Sequence, residues 1–168
     1  MDKTPTQVAE VAEAAYREEM IKHVTLSTGT RLSRGKGLED LVEAARLIQE
    51  RASVTMTLNF EPLTDLSLLA SLLLEGKSAG ATTALCNIGG FDESLREDIM
   101  PMKGRNTIDG YRKVWGKCVD IFGHNEVYTM VIAGLGESDE SILEGVELVA
   151  ATGVVASIVP FTPMINSA

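Results

Sequence analysis

The stretch Val127–Ser138, VYTMVIAGLGES, limits the chain to few folds. Its first seven residues are almost all β-branched, aromatic or apolar, as a parallel strand buried on both faces requires. Gly134 and Gly136 end that run, and glycine permits both positive φ and a close approach of the backbone to a ligand. Ser138 suits the N-cap of a helix, which leads to a second buried strand, Val154–Phe161. The sequence therefore predicts a βαβ unit whose glycine turn lies at the carboxyl end of a strand, where α/β folds bind ligands.

The same alternation recurs along the chain at intervals of about thirty residues, the size of a βαβ unit. A helix is predicted from Pro5, with Thr4 and Gln7 as a capping box. Right-handed crossovers would then place all the strands in one parallel sheet. The residues leave two α/β folds open, an open sheet or part of a barrel, because a complete barrel needs about 250 residues. The predicted strands are His23–Thr28, Val54–Phe60, Thr82–Ile88, Val127–Ala133 and Val154–Phe161.

Composition narrows the class of protein and its partners. No linker interrupts the 168 residues, so a single domain is predicted over 1–168. The net charge is −9, which argues against a nucleic-acid interface, because such an interface needs clustered basic residues. No apolar run is long enough for a membrane, and the polar start MDKTPTQ is unlike a secretory signal. Cys86 and Cys118 have no metal-ligand spacing, which makes a reducing, cytoplasmic setting the simplest interpretation.

Every predicted strand ends in a cluster of polar residues or glycines. The carboxyl ends of parallel strands share one edge of a sheet, so the sequence predicts a common ligand face there. Ordinary turn residues would explain any single cluster equally well, whereas five in succession favour a shared site. The clusters are Ser27-Thr28-Gly29-Thr30, Asn59 with Glu61, Asn87 with Gly89-Gly90, Gly134 to Glu137, and Pro160 to Pro163.

The ordered series HVTLSTGT, LNFEP, LCNIGGFDES, KGRN, VIAGLGES and VVASIVPFTP resembles the radical S-adenosylmethionine enzymes, in particular the branch around biotin synthase. The resemblance extends from Thr4 to Pro163. It implies a partial TIM-type (βα) barrel with about five parallel strands, in which the first βα element lacks its strand. It also implies binding of S-adenosylmethionine and formation of a 5′-deoxyadenosyl radical. That radical would act on a small-molecule substrate, and an electron donor would be a further partner.

The resemblance assigns site roles residue by residue. The methionine ammonium group would be bound where the strand His23–Thr28 ends, since carbonyl and hydroxyl oxygens accept its hydrogen bonds. Arg105 would pair with the methionine carboxylate, and Glu61 would contact the substrate. Asn87 would meet the ribose or the substrate, and adenine would pack against the ends of the last two strands. The cofactor-binding set is Ser27, Thr28, Gly29, Thr30, Asn87, Arg105, Ile132, Gly134, Gly136, Glu137, Val159, Pro160 and Phe161.

The chain departs from that family at the cluster-binding loop. The family's CxxxCxxC motif supplies three thiolates to a [4Fe–4S] cluster and lies before the first helix. Here the first predicted helix follows Thr4, and the two cysteines stand elsewhere, at Cys86 and Cys118. The sequence therefore predicts a family member truncated after its cluster loop. The cluster would belong to the complete protein, and this chain alone would be inactive.

Two other functions remain open. An α/β enzyme of another class could hold a phosphorylated metabolite at the same face, using Lys103, Arg105 and the glycine turns. A non-catalytic paralogue could keep the nucleoside pocket and act by association through an exposed sheet edge. His23 and His124 lack a partnered ligand spacing and are interpreted as structural or solvated. The sequence identifies neither the substrate nor the oligomeric state.

Overall fold

The computed structural model describes residues 3–29, 35 and 37–163. Helices and strands alternate along this part of the chain, with three helices between the third and fourth strands. The helices are α1 (Pro5–Glu19), α2 (Leu38–Gln49), α3 (Leu66–Ser78), α4 (Glu93–Ile99), α5 (Pro101–Gly104), α6 (Ile108–Phe122) and α7 (Asp139–Ala151). The strands are β1 (His23–Ser27), β2 (Thr55–Asn59), β3 (Ala81–Leu85), β4 (Val127–Ala133) and β5 (Val155–Pro160).

All five strands lie parallel in one sheet, in the order β1-β2-β3-β4-β5. The prediction of an α/β fold with a single parallel sheet is therefore confirmed. Because the strand order follows the chain order, right-handed crossovers place all the connecting helices on one face of the sheet. No helix among the described residues is long and apolar enough to cross a lipid bilayer.

The two faces of the sheet differ in chemistry. On the helix side, Leu26, Met56, Leu58, Ala84 and Val131 are at most 3% exposed, and they belong to one continuous apolar core. The residues between them point to the other side, which we call the open face. By strand register its members are His23, Thr25 and Ser27 of β1; Thr55, Thr57 and Asn59 of β2; Thr83 and Leu85 of β3; Tyr128, Met130 and Ile132 of β4; and Val155, Ser157 and Val159 of β5.

The carboxyl edge of the sheet is stepped. One level of the sheet contains Ser27, Asn59, Leu85 and Tyr128. The first three are the last residues of β1, β2 and β3, whereas Tyr128 lies near the start of β4. Both β4 and β5 continue past that level to Ala133 and Pro160. The connection after β3 stays beside β4, because Gly89 forms a parallel β-bridge with Val131. The two hydrogen bonds of this bridge join Gly89 to Met130 and Ile132. The edge therefore places the ends of β1–β3 on a lower step beside an upper step made by β4 and β5.

The helix caps and the buried face of α6 agree with what the sequence predicts. Thr4 and Gln7 form the predicted capping box of α1, and Ser138 caps α7 by accepting from the backbone N–H of Ser141 at 3.2 Å. The helical spacing of Ile108, Tyr111, Trp115, Cys118 and Phe122 predicts an apolar face for α6, and this is confirmed, since Trp115 and Cys118 are fully buried there. Trp115 Nε1 also donates to the Cys86 carbonyl at 3.0 Å, so the indole satisfies its only polar atom within the core.

Two predictions about local structure are wrong. The glycine and polar residues of Lys103-Gly104-Arg105-Asn106 predict a loop, whereas Lys103 and Gly104 belong to the helical turn α5. Pro101 sets helical φ at its first position, and a Cβ on Gly104 would lie 2.4 Å from Glu97 Cα, so the glycine lets α4 and α5 pack closely.

The last strand, expected to be buried, is an edge strand. Ile158 is 51% exposed and Phe161 is 38% exposed. An apolar strand is buried only when other elements cover it. Within the described residues β5 pairs with β4 alone, so no strand covers its outer edge.

Candidate functional site

Polar side chains form a connected row across the lower step of the carboxyl edge. Asn59 Nδ2 donates to Ser27 Oγ at 3.1 Å, and Asn87 Nδ2 donates to Asn59 Oδ1 at 3.4 Å. Asn87 Oδ1 accepts the backbone N–H of Met130 at 2.9 Å, which fixes the orientation of its amide because a backbone N–H can only donate. We call Ser27, Asn59 and Asn87 the polar row. Its hydrogen bonds link β1, β2 and β4 with the segment that follows β3, and they hold the three side chains in place.

The backbone after β1 continues the polar row. Thr28 N donates to the Asn59 carbonyl at 3.2 Å, so the chain stays beside β2 for one residue beyond the strand. Thr28 Oγ1 donates to the Gly29 carbonyl at 2.9 Å. Gly29 is exposed, and a Cβ there would have no atom within 4 Å, so open space surrounds this glycine. Thr30, the last member of the predicted cluster, lies outside the described residues.

Apolar side chains occupy the upper step. Ile132 and Val159 are level with each other on the open face, and Phe161 follows at the end of β5. Phe161 N donates to the Ala133 carbonyl at 2.8 Å, which keeps the two chain ends side by side. Gly134 adopts φ of +99°, and a Cβ there would lie 3.6 Å from Phe161 Cβ. We call Ile132, Val159 and Phe161 the apolar wall.

Glu137 of the glycine turn lies with a different group of residues. Its Oε1 accepts the backbone N–H groups of Phe91 and Asp92 at 2.8 and 2.6 Å, and the Ser141 hydroxyl at 2.7 Å. A Cβ on Gly90 would lie 3.1 Å from Glu137 Oε2, so the loop before α4 passes very close to this carboxylate. Glu137 therefore holds that loop, and the structure does not join its carboxylate to the polar row or the apolar wall.

A partly buried ion pair lies behind the polar row. Lys103 Nζ donates to Glu61 Oε1 at 3.0 Å and to the Asn87 carbonyl at 2.8 Å. The two side chains are 25% and 16% exposed. The Tyr111 hydroxyl also donates to the Asn87 carbonyl, at 3.3 Å, and burial raises the pKa of Tyr111, which keeps its proton in place. Lys103 thereby fastens α5 to the ends of β2 and β3.

Arg105, the cation predicted to bind a carboxylate, is exposed. Its side chain makes no hydrogen bond or ion pair to another residue in the described part of the chain. Its backbone N–H closes α5 on the Lys103 carbonyl. The structure therefore brings Lys103, and not Arg105, into contact with the polar row.

Sequence reasoning missed a buried arginine next to the site. Arg96 is 1% exposed, and its guanidinium donates to the carbonyls of Gly90 at 2.7 Å and Asn106 at 2.8 Å. Its guanidinium carbon lies 5.6 Å from the centre of the Tyr111 ring. Arg96 therefore joins the loops at both ends of the α4–α5 segment. The charged sequence ESLREDI gives no sign of this burial, because it is typical of a solvated helix face.

The described residues do not fit a [4Fe–4S] cluster. They contain no group of three or more His, Cys, Asp or Glu side chains placed to hold a metal ion. The full sequence has two cysteines, and Cys86 and Cys118 are both fully buried. Burial raises the pKa of Cys118 to about 12, which favours the neutral thiol over the thiolate that iron requires.

Comparison with known proteins gives no assignment. No protein-family model matches the chain, and no curated protein matches it. The function must therefore follow from the chemistry of the polar row, the apolar wall and their surroundings.

Proposed function

We propose that this chain is the S-adenosylmethionine-binding part of a radical S-adenosylmethionine enzyme, with its sheet forming part of a (βα) barrel. One observation carries the proposal, the change in polarity along the carboxyl edge of the sheet. The polar row occupies the lower step and the apolar wall occupies the upper step. S-adenosylmethionine has the same division, with a charged amino-acid end and a flat adenine end.

The polar row suits the amino-acid end of the cofactor. An ammonium group needs acceptors, and the Ser27 hydroxyl together with the carbonyl groups of Thr28 and Gly29 supplies them. The hydrogen bonds from Ser27 through Asn59 to Asn87 preorganise this end, so little side-chain freedom is lost on binding. Arg105 is exposed at the end of α5, and in this proposal its guanidinium reaches the cofactor carboxylate from outside the polar row.

The apolar wall suits adenine. Phe161 is 38% exposed and follows the level pair Ile132 and Val159, so the three give an apolar surface against which adenine packs in this proposal. Gly134 lacks a side chain where the end of β4 passes Phe161, which leaves room for a planar ligand to approach the backbone. Pro160 completes the strand end, and Gly136 lets the chain turn away towards α7 with φ of +113°.

Glu61 and Lys103 mark the substrate side of the site in this proposal. Their ion pair lies at the ends of β2 and β3, next to Asn87. In the complete protein, a [4Fe–4S] cluster held by residues outside this chain would supply the radical chemistry, for which an electron donor would be a further partner. The residues of this chain bind and orient the cofactor and exclude water. A phosphate site is less well supported, because the ammonium group of Lys103 is already committed to Glu61 and a carbonyl.

Calorimetric titration of the purified chain with S-adenosylmethionine tests the proposal. Ser27→Ala should weaken binding about fivefold, the equivalent of about 1 kcal/mol for a lost hydrogen bond. Thr25→Ala is the matched control, since it removes a hydroxyl from the same face of β1, one pleat away from the edge, and should leave affinity unchanged.

Two results would contradict this assignment. One is the absence of S-adenosylmethionine binding to a chain that circular dichroism shows to be folded. The other is tighter binding of a sugar phosphate such as ribose 5-phosphate, which would support the phosphorylated-metabolite enzyme instead.

A further inference from the structure

The segment α4–α5 is fastened at both ends by one buried arginine. Arg96 of α4 donates to the Gly90 carbonyl at 2.7 Å and to the Asn106 carbonyl at 2.8 Å. Gly90 lies before α4, and Asn106 lies after α5. Arg96 is therefore the point at which the beginning and the end of this segment are held relative to each other.

Packing alone does not explain why an arginine occupies this position. Arg96 Nε is buried and has no acceptor among the described residues. The guanidinium lies 3.9 Å from a carboxylate oxygen of Glu93, whose side chain is 49% exposed, and 5.6 Å from the centre of the Tyr111 ring. A buried charge with such incomplete pairing is unfavourable, and apolar side chains often replace buried ion pairs without loss of stability. The position of Arg96 therefore calls for a role besides stability.

One end of the bridge that Arg96 makes leads to Arg105. The backbone N–H groups of Arg105 and Asn106 both donate to the Lys103 carbonyl, while the Asn106 carbonyl accepts from Arg96. The backbone is thus held on both sides of Arg105, whose own side chain is exposed. Arg96 therefore fixes the point from which the Arg105 guanidinium extends.

The other end of the bridge leads to the glycine turn after β4. The backbone N–H groups of Phe91 and Asp92, which follow Gly90, donate to Glu137 Oε1 at 2.8 and 2.6 Å. Glu137 itself follows Gly136 of that turn. The contacts consequently run from the turn beside the apolar wall, through Glu137 and Arg96, to the backbone that carries Arg105.

We propose that Arg96 is the positioning residue for Arg105, and that it holds the Arg105 guanidinium at a fixed place relative to the apolar wall. The inference rests on the proposed function, in which Arg105 binds the carboxylate of S-adenosylmethionine and the apolar wall binds adenine. Arg96 is 1% exposed and acts through the Asn106 carbonyl, without contact to the ligand. Because the backbone of Arg105 is already placed, less conformational freedom is lost when the carboxylate binds.

Calorimetric titration with two ligands tests this role. Arg96→Gln should weaken binding of S-adenosylmethionine about tenfold, since the charge-assisted contact of Arg105 is then misplaced. Binding of 5′-methylthioadenosine, which lacks the amino-acid end, should be unchanged. Arg112→Gln is the matched control, because it removes the same charge from an exposed position on α6, and it should bind both ligands as the unchanged chain does.

A double-mutant cycle separates positioning from a general loosening of the fold. In an Arg105→Ala chain, Arg96→Gln should cause no further loss of affinity for S-adenosylmethionine, because the side chain that it positions is gone. The same loss in both backgrounds, or an equal loss for 5′-methylthioadenosine, would overturn the proposal.

Arg96→Lys provides a second variant that keeps the buried charge. A lysine ammonium does not reproduce the fixed fork of the guanidinium, so binding of S-adenosylmethionine should still weaken severalfold. Circular dichroism of each variant checks its fold. Full affinity in a folded Arg96→Lys chain would overturn the proposal, because charge without the fork would then suffice.

Failure of the proposed function would give a different result from failure of this inference. If the unchanged, folded chain does not bind S-adenosylmethionine, the proposed function and the role of Arg96 are overturned together. If the unchanged chain binds it and Arg96→Gln binds it equally well, the role of Arg96 alone is overturned.

Discussion

Single side chains around Asn87 connect the site to the core. The Asn87 amide holds the polar row, while its backbone carbonyl accepts from both Lys103 and Tyr111. Arg96 stacks near Tyr111 and fastens two loops through their carbonyls. Most polar groups of these buried or half-buried residues are hydrogen-bonded, with Arg96 Nε as a buried exception, so contacts within the protein hold the side chains of the carboxyl edge in place. Substitutions at Lys103 or Arg96 are therefore expected to disturb the site through its shape.

Cys118 makes stability depend on pH in the alkaline range. Burial raises its pKa from 9.0 to about 12 in the folded chain, so the folded state retains the proton while the unfolded thiol ionises. The stabilisation is complete below pH 9 and falls as pH rises towards 12, by about 2 kcal/mol at pH 10.5. Urea unfolding at pH 8 and pH 10.5 measures the loss, which should be smaller in Cys118→Ala. Equal losses in the two proteins would refute this origin. Burial raises the pKa of Tyr111 in the same direction, so stability should fall further above pH 10.

The contacts that sequence could not predict at this scale are those between distant residues. Capping by Thr4, Asp65 and Ser138 follows from local chemistry, and the structure has all three. The pairing of Lys103 with Glu61 joins residues far apart in the chain, and no local pattern records it. The burial of Arg96 likewise depends on loops that only the folded chain brings around it.

Among the elements, the loop before α4 depends on the glycine turn after β4. Glu137 bonds to two backbone N–H groups of this loop, at Phe91 and Asp92. Glu137→Ala should speed hydrogen exchange at both amides by about tenfold or more, since a hydrogen bond to a charged group is worth about 1.5–3 kcal/mol. Glu140→Ala, at an exposed position in the first turn of α7, is the control and should leave both rates unchanged. Unaltered exchange in Glu137→Ala would mean that the loop is held by other contacts.

Elements were predictable where their pattern was long and one-sided. The face of α6 from Tyr111 to Phe122 is buried as its spacing predicts. The apolar run of β5 was misleading, because apolar composition does not reveal whether a neighbour exists on the outer edge. The turn α5 is four residues long, too short for any periodicity to indicate it.

For the whole molecule, the asymmetry of the sheet is the main result. The sequence already carried a signal for it: in HVTLS the polar residues His23, Thr25 and Ser27 alternate with Val24 and Leu26, and TMTLN follows the same period. That alternation is typical of a strand covered on one face only. The continuous apolar run of β4 suggested instead that both faces were covered. The open face leads directly to the polar row and so connects the fold to the proposed site.

Binding and cleavage of S-adenosylmethionine should separate in this chain. A [4Fe–4S] cluster requires three thiolates, and the chain has only Cys86 and Cys118, both buried. After anaerobic reconstitution with iron and sulfide, we expect no thiolate-to-iron absorbance above that of a Cys86→Ala/Cys118→Ala chain. Addition of dithionite and S-adenosylmethionine should yield no 5′-deoxyadenosine, although calorimetry should still detect binding. Formation of 5′-deoxyadenosine by this chain alone would overturn the view that another part of the enzyme supplies the cluster ligands.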